Sequence, residues 1–396
     1  MTIFFIIYTE EGSMMNSKQQ FGQFFTTNTD YILQNLEKYI TNKDVCDPFA
    51  GAGDLLKFAK KHGARSVIGF DCDRDLVDNN LIYYNDSLKN SKKYKFVLTN
   101  PPYLYQNKMQ DNSILKNSKH TDLYQLALEK IMDSEEGIVI VPINFLSAKN
   151  AKYIRNQFLE KFEIEKVNYF TNQVFDDTTY NVMAFYYKLK EKQQKKMSVC
   201  FDIYPEKKHI KINLFSQYDW QIGGEFIHEI NQFKNRLQIK RLEENDLCVG
   251  DCCIKTAYNH LDLFKEFKVD KNLFDRIKKN IVLLKAIDTG TDAGKICLED
   301  IRRYDLDALV SIKTSRNQIY LIFPDYVSIE EQKCLIKLFN EELDAKREEY
   351  FSLFMTNYRD NNRKRISFDF AYNFINYLYF SKIKGINNVK IQPTLF

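Results

Sequence analysis

Residues 44–63 read DVCDPFAGAGDLLKFAKKHG. A short apolar run ends at an acidic residue, a proline and two glycines follow, and apolar residues then return at helical spacing as far as Gly63, where a helix C-cap belongs. Strand, glycine turn and helix in this order open a parallel sheet covered by helices. Gly51 and Gly53 let the backbone approach a ligand closely, and the following helix directs its N-terminal amides and positive dipole end at the same place. Such a turn serves nucleotide-binding folds of many chemistries, and a tight turn with no ligand is its bland alternative.

The alternation continues to Lys190. "SVIGFD" (66–71), "KFVLTN" (95–100), "GIVIVPI" (137–143), "IEKVNYF" (164–170) and "NVMAFYY" (181–187) are further strand candidates. "TDLYQLALEKIMD" (121–133) and "SAKNAKYIRNQFLEKF" (147–162) are helical, the second expected to start on Ser147 as N-cap. The pattern predicts a doubly wound α/β domain. At 396 residues a second domain is the default. The charged "KEKQQKKM" (190–197) suits a linker or an edge turn, and beyond it only the helices around 330–350 and 369–380 are legible.

A net charge of +4 excludes a histone-like binder but allows one basic face. Residues 1–190 hold 23 Lys and Arg against 23 Asp and Glu, so the remainder holds 34 against 30 and carries the whole surplus. The eight cysteines lack paired knuckles, since "CVGDCC" places Cys248, Cys252 and Cys253 without the Cys-x-x-Cys spacing of a zinc site. Reduced thiols in a cytoplasmic protein and no metal are expected. "IFFIIY" (3–8) is too short to span a bilayer. Met14 and Met15 follow it, so the first dozen residues read as a dispensable extension.

The other strand ends carry the chemistry. Asp71 closes the second strand, where an acidic side chain receives ribose hydroxyls in such folds; Asp73 reads as a helix-start or solvent carboxylate. Asp86 would end strand three, near the rim where an adenine ring would lie, with a plain turn aspartate as its alternative. The fourth strand halts at "NPPY", Asn100–Tyr103. Pro101 and Pro102 hold φ near −65° and donate no hydrogen bond, so the Asn100 amide and the Pro101 carbonyl keep fixed directions. Together they offer two converging acceptors for the two hydrogens of an exocyclic amino group, and Tyr103 offers a flat face for its ring. Accepting both hydrogens draws the nitrogen lone pair out of conjugation, making it nucleophilic towards an aligned methyl group.

"DPFAGAGD" followed by "NPPY" resembles the S-adenosylmethionine-dependent amino-methyltransferases. The upstream "FGQFFTTN" (21–28) is similar to the first motif of gamma-class DNA adenine (N-6) methyltransferases of restriction-modification systems. The resemblance covers about residues 20–190 and implies a seven-stranded, Rossmann-like methyltransferase domain there, after an extension at 1–19 and before a mixed target-recognition domain at 191–396. It implies S-adenosylmethionine as cofactor: Thr26 near the methionine carboxylate, Asp47 near its amino group, Phe49 and Ala50 to Gly53 around it, Asp71 on the ribose and Asp86 at the adenine amino group. Asn100, Pro101, Pro102 and Tyr103 would be catalytic. "VFDDTTYNV" (174–182) looks like the later motif whose aromatic closes on a flipped base, with Phe175 the candidate and Tyr180 its competitor. Thr27 stands where many relatives have proline.

The implied partner is double-stranded DNA, with a cognate restriction endonuclease acting separately and no membrane. A base inside the stack must be flipped out, which asks for a second, basic domain. "NYRDNNRKRISF" (357–368) offers Arg359, Arg363, Lys364 and Arg365 for phosphates or guanines, against a solvated charge run as the plain alternative. "KAIDTGTDAG" (285–294) is a glycine-bearing loop, more simply a turn. NPPY also serves methylases of RNA and of protein glutamine, usually shorter chains; cytosine methylases generally carry serine at the place of Asn100. A non-catalytic DNA-binding subunit would have lost motif residues, and these are intact.

Overall fold

The computed structural model describes residue 26 and residues 28–109, 111–116, 118–175, 181–288, 295–357 and 363–385. The extension at 1–19, most of FGQFFTTN, Tyr180, Arg359 and the loop 289–294 lie outside the described residues. The chain divides into two compact units, one ending at Gly224 and the other starting at Glu225.

The first unit is built on a nine-stranded sheet. Strands β1 (Asp44–Asp47), β2 (Ser66–Asp71), β3 (Ile82–Tyr84), β4 (Tyr94–Thr99) and β5 (Ser134–Pro142) run parallel in the order β3-β2-β1-β4-β5. Beyond β5 the order departs from the sequence: β7 (Val182–Leu189) enters antiparallel between β5 and β6 (Phe162–Phe170). Two further strands, β8 (Lys196–Tyr204) and β9 (Lys208–Phe215), continue the sheet past β6. Seven strands were expected, and the boundary at 190/191 falls inside this sheet. The reason is chemical: β8 and β9 interleave polar with apolar residues because they are only half buried. Residues 190–195 of the "KEKQQKKM" run are the turn between β7 and β8, and its last two residues open β8. Its first residue is tied down, the Lys190 ammonium donating to the Leu159 carbonyl and lying 4.3 Å from the centre of the buried Trp220 ring.

Central strands read as continuous apolar runs because both faces are covered; β4 is buried at five of six positions. Helix α1 (Asp54–Lys61) buries Leu55, Leu56, Phe58 and Ala59 and stops before Gly63, whose φ of +79° suits glycine. Helices α2 (Leu123–Lys130) and α3 (Lys152–Lys161) follow β4 and β5. Ser147 does not cap α3: it ends a separate helical turn at Asn144–Ser147, its hydroxyl is buried, and the N-cap position belongs to Ala151. Next to it lies a buried cation. Arg155, fully buried on α3, donates to the carbonyls of Phe145 (3.1 Å), Ala148 (3.0 Å) and, beyond β9, Asp219 (2.7 Å). Burial pushes its guanidinium down to about 10.

One glycine fixes how closely the turn after β1 approaches β2. A Cβ on Gly69 would lie 2.6 Å from Leu56 Cδ1 and 2.7 Å from Ala50 Cβ. Gly69→Ala is therefore expected to cost about 1–3 kcal/mol by overpacking and to push Ala50 outward. A lowered melting temperature together with weaker cofactor binding would check it; unchanged melting would show that the contact relaxes freely.

In the second unit, β10 (Lys240–Arg241), β13 (Val282–Lys285), β14 (Cys297–Asp300) and β16 (Gln318–Ile322) form one sheet in the order β10-β16-β13-β14. The second, β12-β11-β15, contains β11 (Val249–Tyr258), β12 (His260–Val269) and β15 (Ala308–Val310). Leu242, Ile254, Leu283, Leu309 and Tyr320 are among the residues of their common core. The two helices legible in the sequence are Ile329–Tyr350, opened by a Ser328–Glu331 capping box, and Phe368–Tyr377, capped by Ser367. Among the described residues no helix is long and apolar enough to cross a membrane, and no three potential ligands gather for a metal.

Candidate active site

The strand order reverses between β1 and β4, and open α/β sheets bind ligands in the crevice at the carboxyl ends of such a pair. Both chemical motifs lie there. The glycine turn leaves β1 at Asp47, and NPPY leaves the neighbouring β4 at Asn100. Register places Cys46 beside Val97, so the two strand ends meet: the Thr99 hydroxyl donates to Asp47 Oδ1 at 2.6 Å.

Asp47 is 1% exposed. Its Oδ1 also accepts the Phe49 amide at 3.0 Å, whereas Oδ2 is buried with no hydrogen-bond partner among the described residues. Burial pushes its carboxyl up to about 7. The turn after it is held to the next strand by the Ala50 amide on the Phe70 carbonyl, 2.9 Å, and by the Gly51 amide on Asp71 Oδ2, 2.8 Å. Gly51 and Gly53 take φ of +52° and +76°, which only glycine adopts without strain. Asp71, at the end of β2, is buried and raised by burial. Its other oxygen accepts the Asp73 amide at 2.8 Å, so each oxygen retains a lone pair. Asp73 caps a short helical turn, as a helix-start residue would. Asp86 follows β3 by two residues, with its carboxylate 2.8 Å from the Lys89 ammonium and its carbonyl accepting the Lys89 and Asn90 amides.

Around NPPY a chain of hydrogen bonds reaches the upstream element. Asn100 Nδ2 donates to Oγ1 of buried Thr26 at 3.0 Å, which turns Oδ1 the other way. The Tyr103 hydroxyl has one hydrogen and two acceptors in reach, Asn100 Oδ1 and the Ile140 carbonyl at 2.7 Å. Pro101 is buried and Pro102 half-buried. The Tyr103 ring, expected as a stacking platform, is 3% exposed and edge-on to Tyr124 with centroids 6.4 Å apart. Phe175 is 1% exposed. Neither ring presents an open face in this structure.

Sequence reading passed over Asp122. It is half-buried at the start of α2, raised to about 6 by burial, and its Oδ1 is a buried atom with no hydrogen-bond partner among the described residues. The amides of Tyr124, Leu104 and Leu123 oppose that rise, which ties it to the segment after Tyr103. The signal was the aspartate preceding an apolar helix, which reads as an ordinary N-cap. Asp47, Asp71 and Asp122 all bind protons more tightly folded than unfolded. Their stabilising contribution is present at low pH and lost as pH rises through the folded values. Asp47→Asn is expected to raise the melting temperature, by a margin that widens from pH 6 to pH 8; a margin independent of pH would contradict the raised carboxyl.

The basic stretch in the second unit is not as expected. Lys364 is 4% exposed and pushed down to about 7 by burial, so its ammonium is not offered to a phosphate. It lies in a two-residue strand whose carbonyl accepts the Asp288 amide, 2.9 Å, and whose neighbour Arg365 is exposed while Arg363 is half-buried.

A family model described as Eco57I restriction-modification methylase matches residues 9–175. That span holds the glycine turn, Asp71, Asn100–Tyr103 and Phe175 and none of the second unit. No curated protein matches. Among solved structures, the EcoKI M protein of a type I restriction enzyme is similar at 18% identity and a TM-score of 0.35, over 46% of this chain and 49% of that one. A type I restriction-modification methyltransferase subunit from Streptococcus thermophilus is similar at 15% identity and 0.33, over 45% and 47%. A protein from Pyrococcus horikoshii, described as an RNA methyltransferase, is similar at 18% identity and a TM-score of 0.34, over 44% of this chain and 90% of that one. The chain thus spans about half the length of the first two.

Proposed function

We propose that the chain is a DNA methyltransferase of restriction-modification type, moving a methyl group from S-adenosylmethionine to the 6-amino group of an adenine flipped out of duplex DNA. The observation that carries this reading is the meeting of NPPY and the glycine turn at one switch point, with Thr26 bonded to Asn100. The family match over residues 9–175 supports the restriction-modification class.

The residues fit the cofactor. Asp47 Oδ2, a buried acceptor with no partner among the described residues, suits an ammonium group, and the spare lone pairs of Asp71 suit two ribose hydroxyls. Gly51 and Gly53 leave room for its close approach, with Phe49 and Ala50 in the same turn and Asp86 at the rim. When bound, S-adenosylmethionine supplies an electrophilic methyl group.

This chain's own part is to prepare the amine. Thr26 holds Asn100 Nδ2, so Oδ1 is the atom left to accept. Tyr103 can give its single hydrogen to the Ile140 carbonyl instead, freeing a lone pair on Oδ1 for one amino hydrogen. The Pro101 carbonyl, fixed by two prolines, takes the other. No strong base is needed, because the nitrogen attacks through a lone pair withdrawn from the ring and the proton leaves afterwards. Stacking by Tyr103 and Phe175 belongs to this proposal only if the flipped base displaces what covers those rings.

The test is to incubate the full chain with tritiated S-adenosylmethionine and AT-rich plasmid DNA, digest to nucleosides and identify the labelled one. Label in N6-methyladenosine is expected. Label in cytosine would move the target atom, and unlabelled DNA beside labelled RNA or protein would overturn the substrate.

A further inference from the structure

A small cleft opens in the second unit between the turn joining β11 to β12 and the connection from β15 to β16. Its volume is about 140 Å³, and Asn259, His260, Ile312, Thr314, Arg316 and Asn317 are among the residues lining it. Asn259 is the whole turn, at φ +63°, its amide donating to the Val310 carbonyl at 2.8 Å. The opposite wall is held by two guanidinium groups. Arg241 donates to the carbonyls of Lys313 (3.2 Å) and Ser315 (3.3 Å), and Arg316 to the same two at 3.1 and 3.0 Å. The buried Ser315 hydroxyl donates to Asn259 Oδ1 and locks the two walls together.

This bonding sorts the polar atoms. The Lys313 and Ser315 carbonyls are taken by arginines, and the Asn259 side-chain oxygen by a hydroxyl. What remains for the opening includes the Asn259 and Asn317 side-chain nitrogens, the Thr314 hydroxyl, the unused N–H groups of Arg316 and the His260 ring, with the Asn317 side-chain oxygen as an acceptor among them. None of the residues lining it is a carboxylate. Lys313 and Arg316 are exposed, and among the described residues neither forms an ion pair. Convergent donors with two uncompensated cations suit an anion. The volume is well below the roughly 300–1,000 Å³ of small-molecule sites, so one charged group of an extended chain fits better than an enclosed ligand.

We propose that this cleft seats a backbone phosphate of duplex DNA, with Arg316 and Lys313 supplying charge and Thr314 and Asn317 hydrogen bonds. It rests on the reading of the chain as a DNA methylase, and it places a phosphate contact apart from the stretch that contains buried Lys364.

The test measures binding of a labelled, mixed-sequence DNA duplex by the full chain across a salt series, for wild type, Lys313→Gln, Arg316→Lys and the double variant Lys313→Gln with Arg316→Gln. The double variant is expected to bind every sequence more weakly and to lower the slope of log affinity against log salt by about one, while Arg316→Lys keeps the slope. Wild-type binding with an unchanged slope in the double variant would overturn the cleft and leave the DNA reading standing. Loss confined to one sequence would replace phosphate holding by base reading, and no duplex binding by wild type would end both. Should the double variant melt early, Lys313→Gln decides alone, because Lys313 makes no side-chain bond that the fold requires.

Discussion

Asn100→Ala is expected to leave S-adenosylmethionine affinity close to wild type and to lower methyl transfer to DNA by about 10²–10³-fold, the size associated with losing one preorganised group that acts on developing charge. The side chain makes its bonds to Thr26 and Tyr103, not to the glycine turn, so binding and chemistry should separate. Thr26→Val removes only the oxygen that orients the amide and should cost less, about tenfold. Tyr103→Phe keeps the ring while deleting the hydroxyl that lies in reach of both Asn100 Oδ1 and the Ile140 carbonyl. Equilibrium cofactor binding beside single-turnover transfer checks the set. Loss of cofactor affinity with transfer intact would reverse the roles assigned to the two strand ends.

Asp47→Asn should do the opposite. It removes the buried anion whose Oδ2 awaits a cation, and truncating one partner of a buried charge pair typically costs 2–5 kcal/mol, or about 10²-fold or more in cofactor affinity. In the wild type only the ionised carboxylate can pair with an ammonium group. Affinity should therefore fall about tenfold for each pH unit below the folded value of about 7 and level off above it. In the variant that pH dependence should vanish. Calorimetric titration across pH checks it, and a wild-type affinity that stays flat from pH 5 to pH 8 would show that Asp47 does not hold the charge.

The first unit was readable because its central strands are buried on both faces, so apolar runs such as that of β4 stand out between helical stretches. Its edges were not. β8 and β9 carry lysines, serine and asparagine on an open face, and their alternation looks like irregular sequence after a charged turn. At the site, residue types betrayed the location: glycine, aspartate and NPPY at successive strand ends. Orientation was hidden. Nothing in "NPPY" tells that the Tyr103 ring packs inward, since an aromatic side chain suits a core as well as a ligand face. Lys364 misled for the converse reason, because lysine in a basic run is almost always solvated, whereas here it sits in a short strand whose carbonyl holds Asp288, far away in sequence.

Arg155 has a practical consequence for anyone who wants the first unit as a portable piece to graft beside another domain. A cut at Lys190, where the composition changes, would strip β8 and β9, bare the long edge of β6 to self-association and deprive a buried guanidinium of its bond to the Asp219 carbonyl. A cut after Gly224 spares all three. The smallest transplantable part of this chain is therefore marked by where a buried charge finds its last carbonyl.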